Sequence, residues 1–248
     1  TPEKWSLEAY QYIASEWATI GRAYLMTILV TVIGTALSLV ITSTFAFAVS
    51  NDKLPGHKIL MFLCIFTMLF NGGLVASYYV YSNIFHIKNT IWALIVPTFL
   101  MSPFNVVLVK NYFSNSISPS ILEAARMDGA GVFAVFTKIV MPLSVPIMAT
   151  VGLMTAIGYW NDWTNGLYYL TENGGSQYYT IQLVLNRINE NINFLANNSD
   201  VAAKAAQQLP STTMRMAIAV IGILPIMCAY PFFQKYFVKG ITLGGVKE

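Results

Sequence analysis

The stretch EAARMDGAGVFAVFTKIVMP, residues 123–142, carries two acidic and two basic side chains, yet it lies between long apolar segments. The 248-residue chain as a whole is 56% hydrophobic and 10% charged. Soluble domains carry about 25% charged residues. The composition is therefore that of a membrane protein, and the charged stretch marks a loop outside the membrane.

Charged residues are absent from five long segments, each 19 to 29 residues long: 23–51, 59–87, 89–109, 139–161 and 216–234. About 20 apolar residues cross a bilayer as a helix. Lipid offers the backbone no hydrogen-bonding partners, so these segments are expected to be helical. The sequence predicts an all-α integral membrane protein, a polytopic helical bundle, with spans at about 24–50, 58–85, 90–112, 142–166 and 213–237.

Basic residues predict the orientation of these spans. Suppose that the first span runs from the outer to the inner side of the membrane. Eight Lys and Arg residues then lie on the inner side and six on the outer side, where the loops are longer. The positive-inside tendency then places loop 117–142 and the C-terminus in the cytoplasm. The N-terminal segment would lie outside, so we expect a further transmembrane helix ahead of Thr1, giving six spans in one membrane domain of the cytoplasmic membrane.

Three features predict how the spans bend and pack. Asn71-Gly72-Gly73 predicts a break in the second span, and Pro97 and Pro103 predict a kink in the third. Small residues recur at four-residue steps in the first span, which predicts a buried packing face there. They are Thr27, Thr31 and Thr35, then Thr42, Ala46 and Ser50.

The charged loop is predicted to contain a short helix. Ser120 and Glu123 have the spacing of a capping box, and Gly129 suits a left-handed helix end. A helix from Ile121 to Asp128 is about 12 Å long. A helix that short is marginal in water by itself, so it needs a partner surface.

The same loop resembles the cytoplasmic loop of binding-protein-dependent ABC importers, whose pattern is EAA, two residues, DGA, five residues, F, two, I, two, P. The matching positions are Glu123, Ala124, Ala125, Asp128, Gly129, Ala130, Phe136, Ile139 and Pro142. The blocks GGLVASYYV, NTIWALIVP, PLSVPIMA and KGITLGGVKE are similar to the MalG-type permease subunit of oligosaccharide importers. Several resemble the branch that imports fragments of complex polysaccharides.

This resemblance implies a permease that is not itself an enzyme and holds no cofactor or metal. Two separate ATP-binding subunits would bind ATP and Mg²⁺, and this chain has no G-x-x-x-x-G-K-[ST] motif of its own. The resemblance also implies a homologous second permease, an extracytoplasmic substrate-binding protein and a carbohydrate substrate. Nucleic acid is not expected, because the net charge is only +3.

The resemblance assigns two contacts with the ATPase. The coupling helix would supply Glu123, Ala124, Ala125, Arg126, Asp128, Gly129 and Ala130. The glycine-rich tail would supply Gly244, Gly245, Val246 and Lys247.

Aromatic and polar residues near the outer ends of two spans are candidates for the substrate pathway. They are Tyr78 in the second span and Tyr159, Trp160, Asn161, Asp162 and Trp163 in the fourth. Sugars are bound by aromatic faces together with amides and carboxylates. The alternative is an aromatic belt at the lipid headgroups. The external segment 171–212 contains a candidate amphipathic helix. This segment is the expected contact for the substrate-binding protein.

Two rival functions remain at the level of sequence. One is a permease of the same kind for a non-sugar solute. The other is an ion-coupled carrier or channel that works alone, which the absence of a carboxylate in the middle of any span disfavours.

Overall fold

The computed structural model describes residues 17–51 and 54–197, together with 216, 217, 220, 222–225 and 227. Every regular element in this part of the chain is helical, as predicted. The helices are α1 (Trp17–Ser50), α2 (His57–Leu69), α3 (Gly73–Ile84), α4 (Trp92–Ile95), α5 (Pro103–Ser116), α6 (Pro119–Met127), α7 (Val132–Leu143), α8 (Val145–Asn161), α9 (Thr164–Tyr169), α10 (Glu172–Gly175) and α11 (Ile181–Asn197). The predicted span 213–237 lies largely outside the described residues.

Helix α1 is long and apolar enough to cross a membrane by itself, and it begins seven residues before the predicted start at residue 24. Two further spans are formed only if bent pairs count as one span each. These pairs are α2 with α3, bent by 119°, and α7 with α8, bent by 79°. The described part of the chain thus shows up to three spans of the five predicted.

The break predicted at Asn71-Gly72-Gly73 is confirmed between α2 and α3. Gly73 has a φ of +82°, a left-handed conformation that glycine adopts without steric cost. The Asn71 side-chain oxygen accepts a hydrogen bond of 2.8 Å from the Gly73 amide. These local features turn the chain sharply at this point.

The prediction of one kinked helix over 90–112 is wrong, because residues 96–102 are not helical. Proline lacks an amide hydrogen and disfavours helical backbone at the residue before it. Ser102, before Pro103, is accordingly extended. Thr98, after Pro97, has a φ of +69°.

Side chains from three other helices satisfy the carbonyl groups that this break leaves free. Tyr159 Oη donates to the Ile95 carbonyl at 2.8 Å, and Ser38 Oγ donates to the Phe99 carbonyl at 3.0 Å. Asn165 Nδ2 approaches the Pro97 carbonyl at 3.4 Å. Non-helical backbone within a membrane protein requires such internal partners.

Helices α1 and α8 pack antiparallel along their lengths. Tyr24 lies beside Trp160, with ring centroids 6.5 Å apart. Further along α1, Gly34 abuts the Tyr159 ring, and Leu39 abuts Gly152. The predicted small-residue face is confirmed at three of its members, since Thr27, Thr42 and Ala46 are each 0% exposed.

A buried cluster joins the helices at the end of the bundle that carries α6, which we call the loop end. Its members include Ala46 of α1, Phe113 of α5, Ala125 of α6, Val135 and Val140 of α7 and Met148 of α8. We call the opposite end the far end. There, Ile20 and Ala23 of α1 pack against Ile181 of α11.

Candidate functional site

Helix α6 begins earlier than the sequence indicated. It starts at Pro119, with Ser118 at the N-cap, and the predicted capping box between Ser120 and Glu123 does not form. Proline suits the first helical position, because its φ is already helical and its missing amide would be unpaired there anyway. The earlier start moves Ser120 into the first turn, where its hydroxyl pairs with that of Ser118 at 2.7 Å.

The predicted end of this helix is confirmed. Gly129 is left-handed, with a φ of +81°. Its amide donates to the Arg126 carbonyl at 3.1 Å, and the Ala130 amide donates to the Ala125 carbonyl at 2.9 Å. These two bonds form a Schellman motif, which satisfies carbonyls that the helix end would otherwise leave unpaired.

Helix α6 has one attached side and one exposed side. Ala125 is buried, and Leu122 packs against the cluster at the loop end. On the other side, Met127 is 83% exposed and Ile121 is 45% exposed. The remaining predicted coupling residues Glu123, Ala124, Arg126, Asp128 and Gly129 are exposed, and Ala130 is half-buried. The helix is therefore fixed to the bundle yet offers a charged and apolar face to a partner.

A pocket of about 260 Å³ with both apolar and polar lining lies between α6 and the ends of α1 and α5. Glu123 and Arg126 line it, together with Ser50 of α1 and Ser114 of α5. Movement of α6 would therefore change the surroundings of two other helices. The predicted tail contacts Gly244, Gly245, Val246 and Lys247 lie outside the described residues.

The predicted pathway residues of α8 divide into buried and exposed members. Tyr159 is 1% exposed and holds the broken segment through its hydroxyl. Trp160 is 9% exposed, and its indole donates to the Gly222 carbonyl at 3.3 Å. Asn161 and Trp163 are exposed, so these two are accessible to a ligand at the far end.

Asp162 acts as a helix cap. Its Oδ1 accepts hydrogen bonds of 3.1 Å from the amides of Thr164 and Asn165, at the start of α9. Its Oδ2 accepts a bond of 2.7 Å from Asn165 Nδ2. This arrangement accounts for the carboxylate by local structure, because capping satisfies amides at a helix start.

Tyr78 belongs to a separate aromatic cluster. Its ring stacks on Tyr169 with centroids 5.7 Å apart, and its hydroxyl accepts a hydrogen bond of 2.7 Å from Lys88. Tyr81 meets Tyr169 edge-on. The structure therefore does not bring Tyr78 together with the Trp160 region.

An open groove of about 540 Å³ runs between α1 and α8. Its lining is almost wholly apolar. It includes Ile28, Thr31, Val32, Thr35 and Leu39 of α1 and Gly152, Ile157 and Trp160 of α8. The hydroxyls of both threonines are buried and have no hydrogen-bond partner within the described residues. Trp160, a predicted pathway residue, therefore lines this groove.

The predicted amphipathic helix of the external segment is observed as α11, which follows α10. Ile181 and Leu183 on its inner side are 0% exposed. Arg187 forms an ion pair of 2.9 Å with Glu172 and lies over the Tyr179 ring at 4.4 Å. Residues 198–212 of this segment lie outside the described part.

Sequence reasoning missed Asn165, Ser38 and Asn89. The first two hold the break at 96–102, and Asn89 connects α10 to the turn before α4. Its Oδ1 accepts a bond of 2.7 Å from the Thr171 amide, and its φ is +58°. A left-handed non-glycine position favours asparagine, so residue type was the available signal.

An apolar helical bundle with a short exposed helix at one end is typical of a membrane protein subunit that binds other proteins. Comparison with known proteins gives the family. The description "Binding-protein-dependent transport system inner membrane component" matches residues 12–243, so the chain belongs to that family of transporter permeases.

Relatives of known name match nearly the whole chain. The "Polygalacturonan/rhamnogalacturonan transport system permease protein YtcP" of Bacillus subtilis (strain 168) is 38% identical, covering 99% of this chain and 83% of the relative. "Protein LplC" of the same organism is 36% identical, covering 99% and 80%. In the crystal structure of a bacterial ABC transporter that imports the acidic polysaccharide alginate, one chain is 30% identical with a TM-score of 0.80, covering 95% of this chain and 81% of that one.

Proposed function

We propose that this chain is the permease subunit of an ATP-driven importer that carries an oligosaccharide across the cytoplasmic membrane. The family match supports an importer subunit. The names of the relatives support a carbohydrate substrate, and both polygalacturonan and alginate are acidic polysaccharides. Fragments of a uronate-containing polysaccharide are therefore the first substrates to test.

Helix α6 is the proposed coupling element, and its geometry carries this proposal. It is attached to the bundle through Ala125 and Leu122, while Met127 faces away and Glu123 and Arg126 are exposed beside the pocket. Ala124, which is exposed beside them, keeps this face slim enough to enter a groove on an ATPase subunit. Closure of two such ATPases on ATP and Mg²⁺ would then push the loop end of the bundle.

The loop end is proposed to face the cytoplasm, together with the C-terminus. Basic residues Lys58, Lys110, Arg126 and Lys138 all lie near this end. The positive-inside tendency favours that orientation. The far end, with α11, would then receive the substrate from an extracytoplasmic binding protein.

The substrate is proposed to pass between this chain and a homologous second permease. Among the predicted pathway residues, Trp160 lines the groove between α1 and α8. Asn161 and Trp163 are exposed at the far end of the bundle. Tyr159 and Asp162 would act indirectly, because one supports the broken segment and the other caps α9.

Reconstitution of the complete importer in vesicles tests this function. The complex would contain this chain, the second permease, two ATPase subunits and the binding protein. We expect an oligogalacturonide or another oligosaccharide to stimulate ATP hydrolysis and to enter the vesicles. Stimulation only by a non-carbohydrate, such as a polyamine or phosphate, would refute the substrate class, and flux through this chain alone would refute the importer mechanism.

A further inference from the structure

Helix α7 lies nearly perpendicular to α8, the helix that follows it. Its axis is bent by 79° from that of α8, and α8 packs antiparallel along the membrane-crossing α1. A helix nearly perpendicular to a crossing helix lies close to the plane of the membrane. Its position at the loop end places it at the boundary between lipid and water.

One side of α7 is attached to the bundle. Val135 is 3% exposed and Val140 is 1% exposed. Phe136 packs on Phe47 near the end of α1, with ring centroids 5.1 Å apart. These contacts fix the depth of α7 at the level where α1 ends, at Ser50.

The other side of α7 is apolar and uncovered. Val132 is 70% exposed and Phe133 is 78% exposed. Thr137 is exposed on the same side, but its hydroxyl donates to the Phe133 carbonyl at 2.8 Å, so it needs no further partner. Lys138 is exposed beside it and makes no ion pair with any described residue.

Two observations favour lipid over an ATPase subunit as the partner of this side. First, exposed apolar side chains also occur where α7 meets α8, at Leu143, 48% exposed, and Val145, 51% exposed. Second, Lys138 is the only charged residue from Val132 to Asn161, so the only charge on this side of α7 is positive. The acidic residues of the loop belong to α6 and its end instead.

We propose that α7 is an interfacial helix that binds anionic phospholipid of the cytoplasmic leaflet. Val132 and Phe133 insert among the acyl chains, to the depth of about 5–10 Å that is typical of interfacial helices. Lys138 contacts the lipid phosphate. Only a short turn at Gly129 to Gly131 separates α7 from α6, so this lipid contact holds the coupling helix at a set distance from the membrane.

Tryptophan quenching by brominated phospholipids tests the insertion. Phe133→Trp, Val132→Trp and the control Met127→Trp are placed in the full chain in vesicles, and the emission of the parent protein is subtracted. We expect brominated acyl chains to quench the new tryptophans at 132 and 133 but not the one at 127. The assignment to the cytoplasmic leaflet rests on the proposed orientation of the chain. The quenching measurement needs no ATPase and no substrate, so its failure is distinguishable from a failure of the proposed function.

Adding the ATPase subunits distinguishes the two partners. We expect quenching at 133 to persist in the assembled complex, while the emission at 127 shifts to the blue as that position becomes covered. Absence of quenching at both 132 and 133, or its loss when the ATPase binds, would overturn the proposal.

Lipid selectivity tests the role of Lys138. In the Phe133→Trp background, brominated phosphatidylglycerol should quench more effectively than brominated phosphatidylcholine. We expect Lys138→Gln to reduce the preference about fivefold, the factor that one lysine supplies near an anionic surface, and Lys138→Arg to retain it. An unchanged preference in Lys138→Gln, or full competition by added inorganic phosphate, would overturn the assignment to a lipid headgroup.

Discussion

The left-handed residue at the end of α6 provides a sharp test of coupling. Gly129 has a φ of +81°, and a Cβ atom added there would meet nothing within 4 Å. Replacement by alanine therefore adds no clash. Its only cost is the free energy needed to hold an L-residue in the left-handed conformation, about 1–2 kcal/mol. The Schellman bonds to Arg126 and Ala125 depend on that conformation.

This cost should appear in the binding of the ATPase. Helix α6 has nine residues, and a helix of that length is marginal without a partner. In the free chain Gly129→Ala can relax by unwinding the last turn, whereas docking requires the intact helix. We expect the affinity for the ATPase to fall about 5- to 30-fold, the ratio that corresponds to 1–2 kcal/mol.

Gly131→Ala is the matched control, since it is the same change two residues away. Gly131 has a φ of −67°, which alanine adopts freely, and a Cβ atom there also meets nothing within 4 Å. Titration of the ATPase onto the reconstituted permease should show less than about a twofold change for this variant. Gly129→Asn should be intermediate, because asparagine tolerates left-handed backbone. Equal weakening by both alanine variants would refute the reasoning.

Three further predictions concern the bundle, each measured as the free energy of unfolding in detergent. Tyr159→Phe should cost about 1–3 kcal/mol by leaving the Ile95 carbonyl without a donor; unchanged stability with a raised KM for transport would instead indicate a substrate contact. Gly34→Ala places a Cβ atom 2.5 Å from Tyr159 Cζ and should cost about 1–3 kcal/mol. Gly152→Ala, 3.2 Å from a flexible leucine, is its milder control, and equal losses would argue against tight packing at Gly34. Thr98→Gly should stabilise the protein by about 1 kcal/mol, because it relieves a φ of +69°, whereas Thr98→Ser should not; a loss of stability with glycine would show that the threonine side chain holds the segment.

The sequence predicted the helical fold and the short helix of the charged loop because both depend on local patterns. Charge-free segments follow from the cost of charge in lipid, and they identified α1 and α8. Gly129 could be assigned a left-handed conformation because residue type alone favours it there. The start of α6 was misplaced because the prediction relied on the spacing of Ser120 and Glu123, whereas Pro119 occupies the first helical position.

The broken segment and the roles of the aromatic residues could not be predicted in the same way. Pro97 and Pro103 indicate a kink, but the length of the break depends on donors from Ser38, Tyr159 and Asn165, which are distant in sequence. Likewise, Tyr159 is buried while Trp163 is exposed, although both are aromatic residues of one short stretch. Tyr159 lies on the side of α8 that faces the core, whereas Trp163 follows the end of α8, and tertiary packing decides both environments.

The seven non-helical residues between α4 and α5 have a mechanical consequence. A displacement applied to α6 reaches α5 and α1 through the cluster around Ala125. Along α5 the helix is interrupted at residues 96–102, where side chains of three other helices bind the backbone. Along α1 the displacement meets 34 residues of uninterrupted helix. If a partner moves α6, as proposed, α1 is therefore the uninterrupted helix that would carry the movement from the loop end to the far end.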